Sequence, residues 1–220
     1  MEPSLTPDVR RMYEASADAY ANMMDREIDL PIYADVLGRL HTRIAKVPGT
    51  LIDAACGSGH MLSMYHARFD PTRRLLGIDL SPRMVAISGE RLGASGDAVV
   101  GDMRDLSMVE SDSAVAVLNF FAVHHLDLEG LAKAVGEWRR VLRPGGHLLI
   151  AAWEGEGVID YGDESQVVAL RYRSSELRSV VEEASFDVTR CVVEPVDDFP
   201  MDAVYLEAEL GSPSTRQGER

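Results

Sequence analysis

The sequence predicts an α/β protein: a doubly wound, mostly parallel sheet of seven strands, with an antiparallel C-terminal edge strand and N-terminal helices capping the site. Three observations carry this expectation. Short apolar runs alternate five times with segments of helical periodicity, and such alternation with right-handed crossovers builds a parallel sheet. Leu51 to His60, LIDAACGSGH, passes from a buried strand through a glycine-bearing turn into a helix, which sets a binding crevice at the carboxyl end of the sheet. The last two strand-like runs have no helix between them, so they pair antiparallel.

In chain order, Met1 to Pro7 is expected to fray. Asp8 to Met24 has Val9, Met12, Tyr13, Ala17 and Tyr20 near one helical face. A second helix, Ile32 to Lys46, carries Val36, Leu37, Leu40 and Ile44 at helical spacing and ends before Val47-Pro48-Gly49. Both helices precede the first strand and are expected to cover the crevice. Leu51 and Ile52 begin that strand, and His60 to Phe69 follows the turn as a helix with Leu62, Tyr65 and Phe69 on one face. Leu75 to Ile78 is the second strand and ends at Asp79. Ser81 is a natural N-cap and Pro82 suits the first helical position.

Val99-Val100 is a short third strand, followed by Gly101-Asp102-Met103. Ala114 to Phe121 is the longest apolar run and predicts a central strand buried on both faces. His124, His125 and Asp127 lie just past its end. A helix with Leu128, Leu131, Val135, Trp138 and Leu142 on one stripe is stopped by Arg143-Pro144-Gly145-Gly146, and His147 to Trp153 is the fifth strand. Glu154 to Ser165 lacks periodicity and is expected to be a functional or disordered loop. Ser174 to Ala184 is a further helix, and Val188 to Val193 and Ala203 to Leu206 are the closing strands. The chain is expected to be one domain over 1–210, divided into a helical cap (1–47), a binding core (50–153) and a substrate-side region (154–210), with a flexible tail at 211–220.

Composition narrows the function classes. The formal charge of −14 repels polyphosphate at long range and disfavours nucleic acid as a partner. No apolar run approaches a membrane span of about 20 residues, and no secretion signal is evident, so a cytoplasmic location is expected. Cys56 and Cys191 suggest neither a disulfide framework nor a zinc cluster. Cys56 is read as a small residue beside the turn rather than a nucleophile. No metal site is expected, because His124 and His125 are adjacent and no further ligand is apparent. Oligomeric state is not legible in the sequence.

Several residues stand out chemically. Asp53 is a carboxylate inside an apolar strand. Gly57 and Gly59 admit backbone conformations closed to other residues and let a ligand approach the main chain. Tyr13 and Tyr20 suit core packing as well as they suit closing the site.

Taken in order, Asp53-Ala54-Ala55-Cys56-Gly57-Ser58-Gly59, Asp79, Gly101-Asp102-Met103, the strand running into Asn119, and Leu142-Arg143-Pro144-Gly145-Gly146 resemble the class I S-adenosylmethionine (SAM)-dependent methyltransferases, whose sheet is Rossmann-like. The resemblance is strong over about 50–153 and implies SAM as cofactor. It implies that Asp53 and the turn of Ala55, Gly57 and Gly59 pass close to the cofactor. Asp79, with Leu80 beside it, would accept hydrogen bonds from the ribose hydroxyls. Asp102 and Met103 would hold the adenine, and Asn119 and Phe120 the methionine end. Ala55 departs from the glycine frequent in the family and is read as a tolerated variant.

The strings Met12-Tyr13-Glu14-Ala15 with Tyr20, and Ala122-Val123-His124-His125-Leu126, resemble small-molecule methyltransferases of natural-product pathways, some of which methylate the amine of a sugar. That resemblance implies that Tyr13 and His125 face the methyl, that Tyr20 stands on the cofactor side, and that the acceptor is a small molecule methylated on oxygen or nitrogen. His125 would orient it and, for an oxygen acceptor, take its proton, with His124 bonded to backbone beside it. Two alternatives stay open. A non-catalytic SAM-binding scaffold keeps every cofactor residue. A nicotinamide-dependent oxidoreductase shares the glycine turn and distal acid, but its third glycine is replaced by Leu62.

Overall fold

The computed structural model describes residues 3–159, 167–196 and 200–211. The first helix, α1, is Thr6–Glu27, with Pro7 in its opening turn, and α2 is Pro31–Ile44, opened by Pro31. There follow β1 (Thr50–Ala54), α3 (His60–Arg68), β2 (Leu75–Asp79), α4 (Pro82–Leu92), β3 (Gly96–Val100), β4 (Ala114–Phe120), α5 (Leu128–Val141) and β5 (Leu142–Trp153). A short ribbon, β6 (Val158–Ile159) and β7 (Ala169–Leu170), leads to α6 (Ser174–Glu183), β8 (Phe186–Pro195) and β9 (Asp202–Leu210). Strand order in the main sheet is β3-β2-β1-β4-β5-β9-β8. β1 to β5 pair in parallel, and β9 runs antiparallel between β5 and β8. The expected antiparallel closing pair therefore forms that edge, with the later strand inserted inside the earlier one.

The pattern of burial explains the layering. All but the last residue of β4 is buried, so it needs apolar side chains on both faces and reads as a continuous run. Val36, Leu37, Leu40 and Ile44 of α2 pack with Leu62 and Tyr65 of α3 on one face. Leu131, Val135 and Trp138 of α5 pack with Leu177 and Val181 of α6 on the other. Ser81 caps α4 by accepting from the Met84 N–H at 3.1 Å, and Asp127 caps α5 by accepting from Gly130 at 2.7 Å. No helix among the described residues is long and apolar enough to cross a membrane.

Three expectations change. Of the expected frayed stretch, residues 1–2 lie outside the described residues, and Ser4 is tied down: its N–H donates to Val168 O at 3.1 Å, and the Val168 N–H donates to Ser4 Oγ at 2.7 Å. β5 begins at Leu142 rather than His147. The turn at Arg143–Gly146 bulges out of the ladder, so pairing jumps from Ala114↔Leu142 to Ala116↔His147. The segment after Glu154 contains β6, whose two residues are too few to show periodicity; of that expected loop, residues 160–165 lie outside the described residues, as does most of the expected tail.

Candidate active site

The crevice forms where β1, β2 and β4 end. After Ala54 the chain turns sharply, with Ala55 at φ +90°, Gly57 at +50° and Gly59 at +79°. A Cβ on Gly59 would lie 2.5 Å from Ser88 Oγ, so that position requires glycine for space as well as for backbone. Ala55 adopts the same strained half of backbone space with its Cβ in place. The family resemblance flagged this position, and the alanine is held there at a cost of about 1–2 kcal/mol.

Asp79 closes the turn from the next strand. Its Oδ2 accepts from the Gly57 N–H at 2.8 Å and its Oδ1 from the Ser81 N–H at 2.9 Å. Burial still pushes its carboxyl above the usual range, against the lowering effect of these amides and of the Leu80 backbone. Asp53 is 2 % exposed, its Oδ1 has no hydrogen-bond partner, and burial, helped by Asp79, pushes its pKa up to about 8. On β4, Asn119 donates through Nδ2 to Ala54 O and to Met103 Sδ, while its Oδ1 is buried without a partner. Trp138 Nε1 fixes the loop beneath by donating to Met103 O at 3.1 Å.

Two orphaned acceptors on adjacent strands, a glycine turn and a carboxylate at the end of β2 match the donors of SAM: its ammonium group and its ribose hydroxyls. The residues present therefore fit that cofactor. Asp102 is more engaged than its assignment implied. Arg104 donates to both of its oxygens, including Nη2 to Oδ2 at 2.6 Å, and also reaches Thr6 Oγ1 at the start of α1.

α1 lies over this crevice. Tyr20 Cε1 stands 3.2 Å from where a Cβ on Gly57 would be, so the ring rests on the turn. Tyr13 Oη lies 2.9 Å from His125 Nε2, joining positions 112 residues apart. His124 and His125 form a 3₁₀ turn past β4, and their rings do not point apart: the centroids are 4.1 Å apart, with Nε2 to Nε2 at 2.9 Å. His124 thus partners a side chain, which corrects the expectation of a purely backbone role. Burial pulls the His125 pKa down to about 4 and that of His124 well below its usual value, so both rings are neutral near pH 7. Phe120 sits edge-on to Tyr33 at 6.1 Å, and Phe121 takes φ +49° with its ring 4.6 Å from Trp153.

Sequence inspection missed what holds α1 in place. Glu14 Oε2 accepts from Ser81 Oγ at 2.6 Å and from the Arg83 N–H at 3.0 Å, and Asp18 pairs with Arg83. These partners are more than 60 residues apart, and only the position of Glu14 inside the Met12–Ala15 string hinted at a role.

Residues 51–146 match a family model described as a methyltransferase domain. The chain is 26% identical over 148 residues to a dTDP-4-amino-2,3,4,6-tetradeoxy-D-glucose N,N-dimethyltransferase of Saccharopolyspora spinosa, covering 67% of this chain and 55% of that one. It is 28% identical over 151 residues to a tRNA (carboxymethyluridine(34)-5-O)-methyltransferase of Arabidopsis thaliana, covering 67% and 33%. The chain thus spans about half or less of the length of these relatives. Its fold matches that of a Burkholderia thailandensis 1,6-didemethyltoxoflavin-N1-methyltransferase solved with S-adenosylhomocysteine, with a TM-score of 0.73 at 19% identity, over 94% of this chain and 88% of that one.

Proposed function

We propose, from the match of residues 51–146 to a methyltransferase-domain model, that the chain transfers the methyl group of SAM to an oxygen or nitrogen of a small molecule, in secondary metabolism. The observation that carries this is the meeting of Tyr13 and His125 at 2.9 Å over the end of β4, beside the turn that fits the cofactor. When bound, SAM supplies a methyl already activated by its sulfonium, so the protein's task is chiefly to hold an acceptor lone pair in line. Tyr13 and His125 offer hydrogen bonds for that purpose. A buried imidazole with a pKa of about 4 orients well and takes a proton poorly, which shifts the role of His125 from base toward positioning. The formal charge of −14 supports a small acceptor over tRNA.

The test is calorimetric titration with SAM and its demethylated product, then incubation with methyl-labelled SAM and a library of amines, alcohols and carboxylic acids read by mass spectrometry. Micromolar binding and a labelled small-molecule product are expected. A folded protein that binds neither nucleoside refutes the proposal, and binding without transfer to any acceptor favours a scaffold.

A further inference from the structure

The cofactor turn is also tied to α1 by a line of polar side chains that methyl transfer does not use. Asp25, near the end of α1, is approached from two sides: His60 Nε2 lies 2.8 Å from its Oδ1, and Arg91 Nη2 of α4 donates to the same oxygen at 3.0 Å. Both arms end on Ser58, the residue between Gly57 and Gly59. Ser58 Oγ lies 2.8 Å from His60 Nδ1, and Arg91 Nε donates to Ser58 O at 2.9 Å. Ser58 and His60 are 1 % and 5 % exposed, whereas the Asp25 side chain is 51 % exposed.

The chemistry of the partners fixes every hydrogen along this line. A carboxylate only accepts, so neutral His60 must carry its hydrogen on Nε2, facing Asp25. Nδ1 is then a bare lone pair, and the Ser58 hydroxyl donates to it. Burial, the largest influence on His60, lowers its pKa and keeps the ring neutral near pH 7. An exposed carboxylate on α1 thereby sets the tautomer of a buried ring and, through it, the hydroxyl orientation inside the turn.

We propose that Asp25, His60 and Arg91 are positioning residues that couple docking of α1 to the conformation of the cofactor turn, so that helix closure and cofactor affinity rise and fall together. The coupling to affinity rests on the crevice being the SAM site. Because α1 also carries Tyr13 and Tyr20, cofactor binding then assembles the acceptor side of the site. Linkage makes the effect reciprocal: whatever factor docking adds to cofactor affinity, the cofactor adds to docking.

The test compares wild type with Asp25→Ala, Asp25→Glu and, as a control on the same helix, Asp8→Ala, which breaks the Asp8–Arg11 pair made within α1 itself. Asp25→Ala is expected to weaken SAM binding about five- to tenfold, the effect of about 1 kcal/mol of lost hydrogen bonding, and to shrink the gain in α1 hydrogen-exchange protection that SAM brings. Asp25→Glu should recover part of both, and Asp8→Ala should stay within about twofold of wild type in affinity. Nitrogen-15 spectra should show a single Nε2–H tautomer of His60 in wild type and a mixture in Asp25→Ala. Wild-type affinity with undiminished SAM-dependent protection in Asp25→Ala overturns the coupling, as does an Nδ1–H tautomer in wild type. If wild type binds no SAM, the functional proposal fails separately. The link is then decided without cofactor: unchanged exchange around Ser58 in Asp25→Ala overturns it, and faster exchange there upholds it.

Discussion

Asp53 makes the cofactor assignment measurable as a proton count. Its carboxyl is 2 % exposed, its Oδ1 has no hydrogen-bond partner, and burial, with Asp79 nearby, holds its pKa at about 8. At pH 7 a group of that pKa is about 90 % protonated. The folded state therefore keeps a proton that the unfolded chain gives up near pH 4, and through this group the free protein loses stability as pH rises from about 4 to about 8. An ammonium placed beside the carboxyl favours its charged form and lowers its pKa toward the ordinary range. Binding SAM at pH 7 should then release close to one proton, about 0.9 at most. Titration calorimetry in buffers of different ionisation enthalpy reads that number as the slope of observed enthalpy against buffer enthalpy. Release should stay near its maximum over about pH 6–7, halve near pH 8 and vanish above about pH 9. Asp53→Asn keeps the shape and cannot ionise, so its slope should be near zero, with any remainder assigned to Asp79. A wild-type slope of zero at pH 7, or an unchanged slope in Asp53→Asn, refutes the placement of the ammonium at Asp53.

Three further outcomes are expected. Asp79→Ala should weaken SAM binding by about 2–4 kcal/mol by removing a charged acceptor from the ribose, and should lower stability too, since the Gly57 and Ser81 amides lose their partner; unchanged affinity in a folded variant removes the ribose assignment. Ala55→Gly relieves a backbone held at φ +90°. About 1–2 kcal/mol of strain is offset by about 0.4–1 kcal/mol of unfolded-state entropy, so the urea midpoint should rise by the equivalent of about 0.5–1 kcal/mol with m unchanged, and a lower midpoint contradicts this. His125→Phe should reduce turnover about 10–100-fold through lost orientation. The wild-type pH–rate profile should show no limb at pH 6–7, since a base with its pKa near 4 is already deprotonated there and fails only as pH falls through about 4; a limb at 6–7 that disappears in the variant restores general-base catalysis.

Much of the fold was legible because its signals are local. The run at 114–121 is apolar but for Asn119 because β4 is buried on both faces, and Ser81-Pro82 announces α4 because capping chemistry needs only neighbouring residues. Family resemblance implied that Tyr13 and His125 both face the methyl, but their meeting was not legible, since no spacing rule connects positions 112 apart. What stayed hidden is relational. That His125 is a poor base follows from its burial, and that Asp102 is occupied follows from where Arg104 folds back. Asp25, His60 and Ser58 are ordinary polar residues until the packing of α1 against α3 and α4 lines them up.

The two cap helices were expected to act alike, yet they are held by different physics. α2 buries Tyr33, Val36, Leu37, Leu40 and Ile44, and at about 1.5–3 kcal/mol per large side chain this packing makes it part of the core. α1 buries Val9 and two alanines, Ala17 and Ala21, which contribute far less. Its other attachments include the Tyr13 and Tyr20 contacts and polar pairs through Glu14, Asp18 and Asp25, and exposed ion pairs add about 0–1 kcal/mol each. Opening α1 alone should therefore need much less free energy than unfolding the sheet. Because Tyr20 covers Gly57 and Tyr13 meets His125, the same motion would uncover the glycine turn and separate Tyr13 from His125. On the proposed assignment of Tyr13 and His125, the state that admits cofactor would be incompetent for transfer, and closure over the bound cofactor would complete the site.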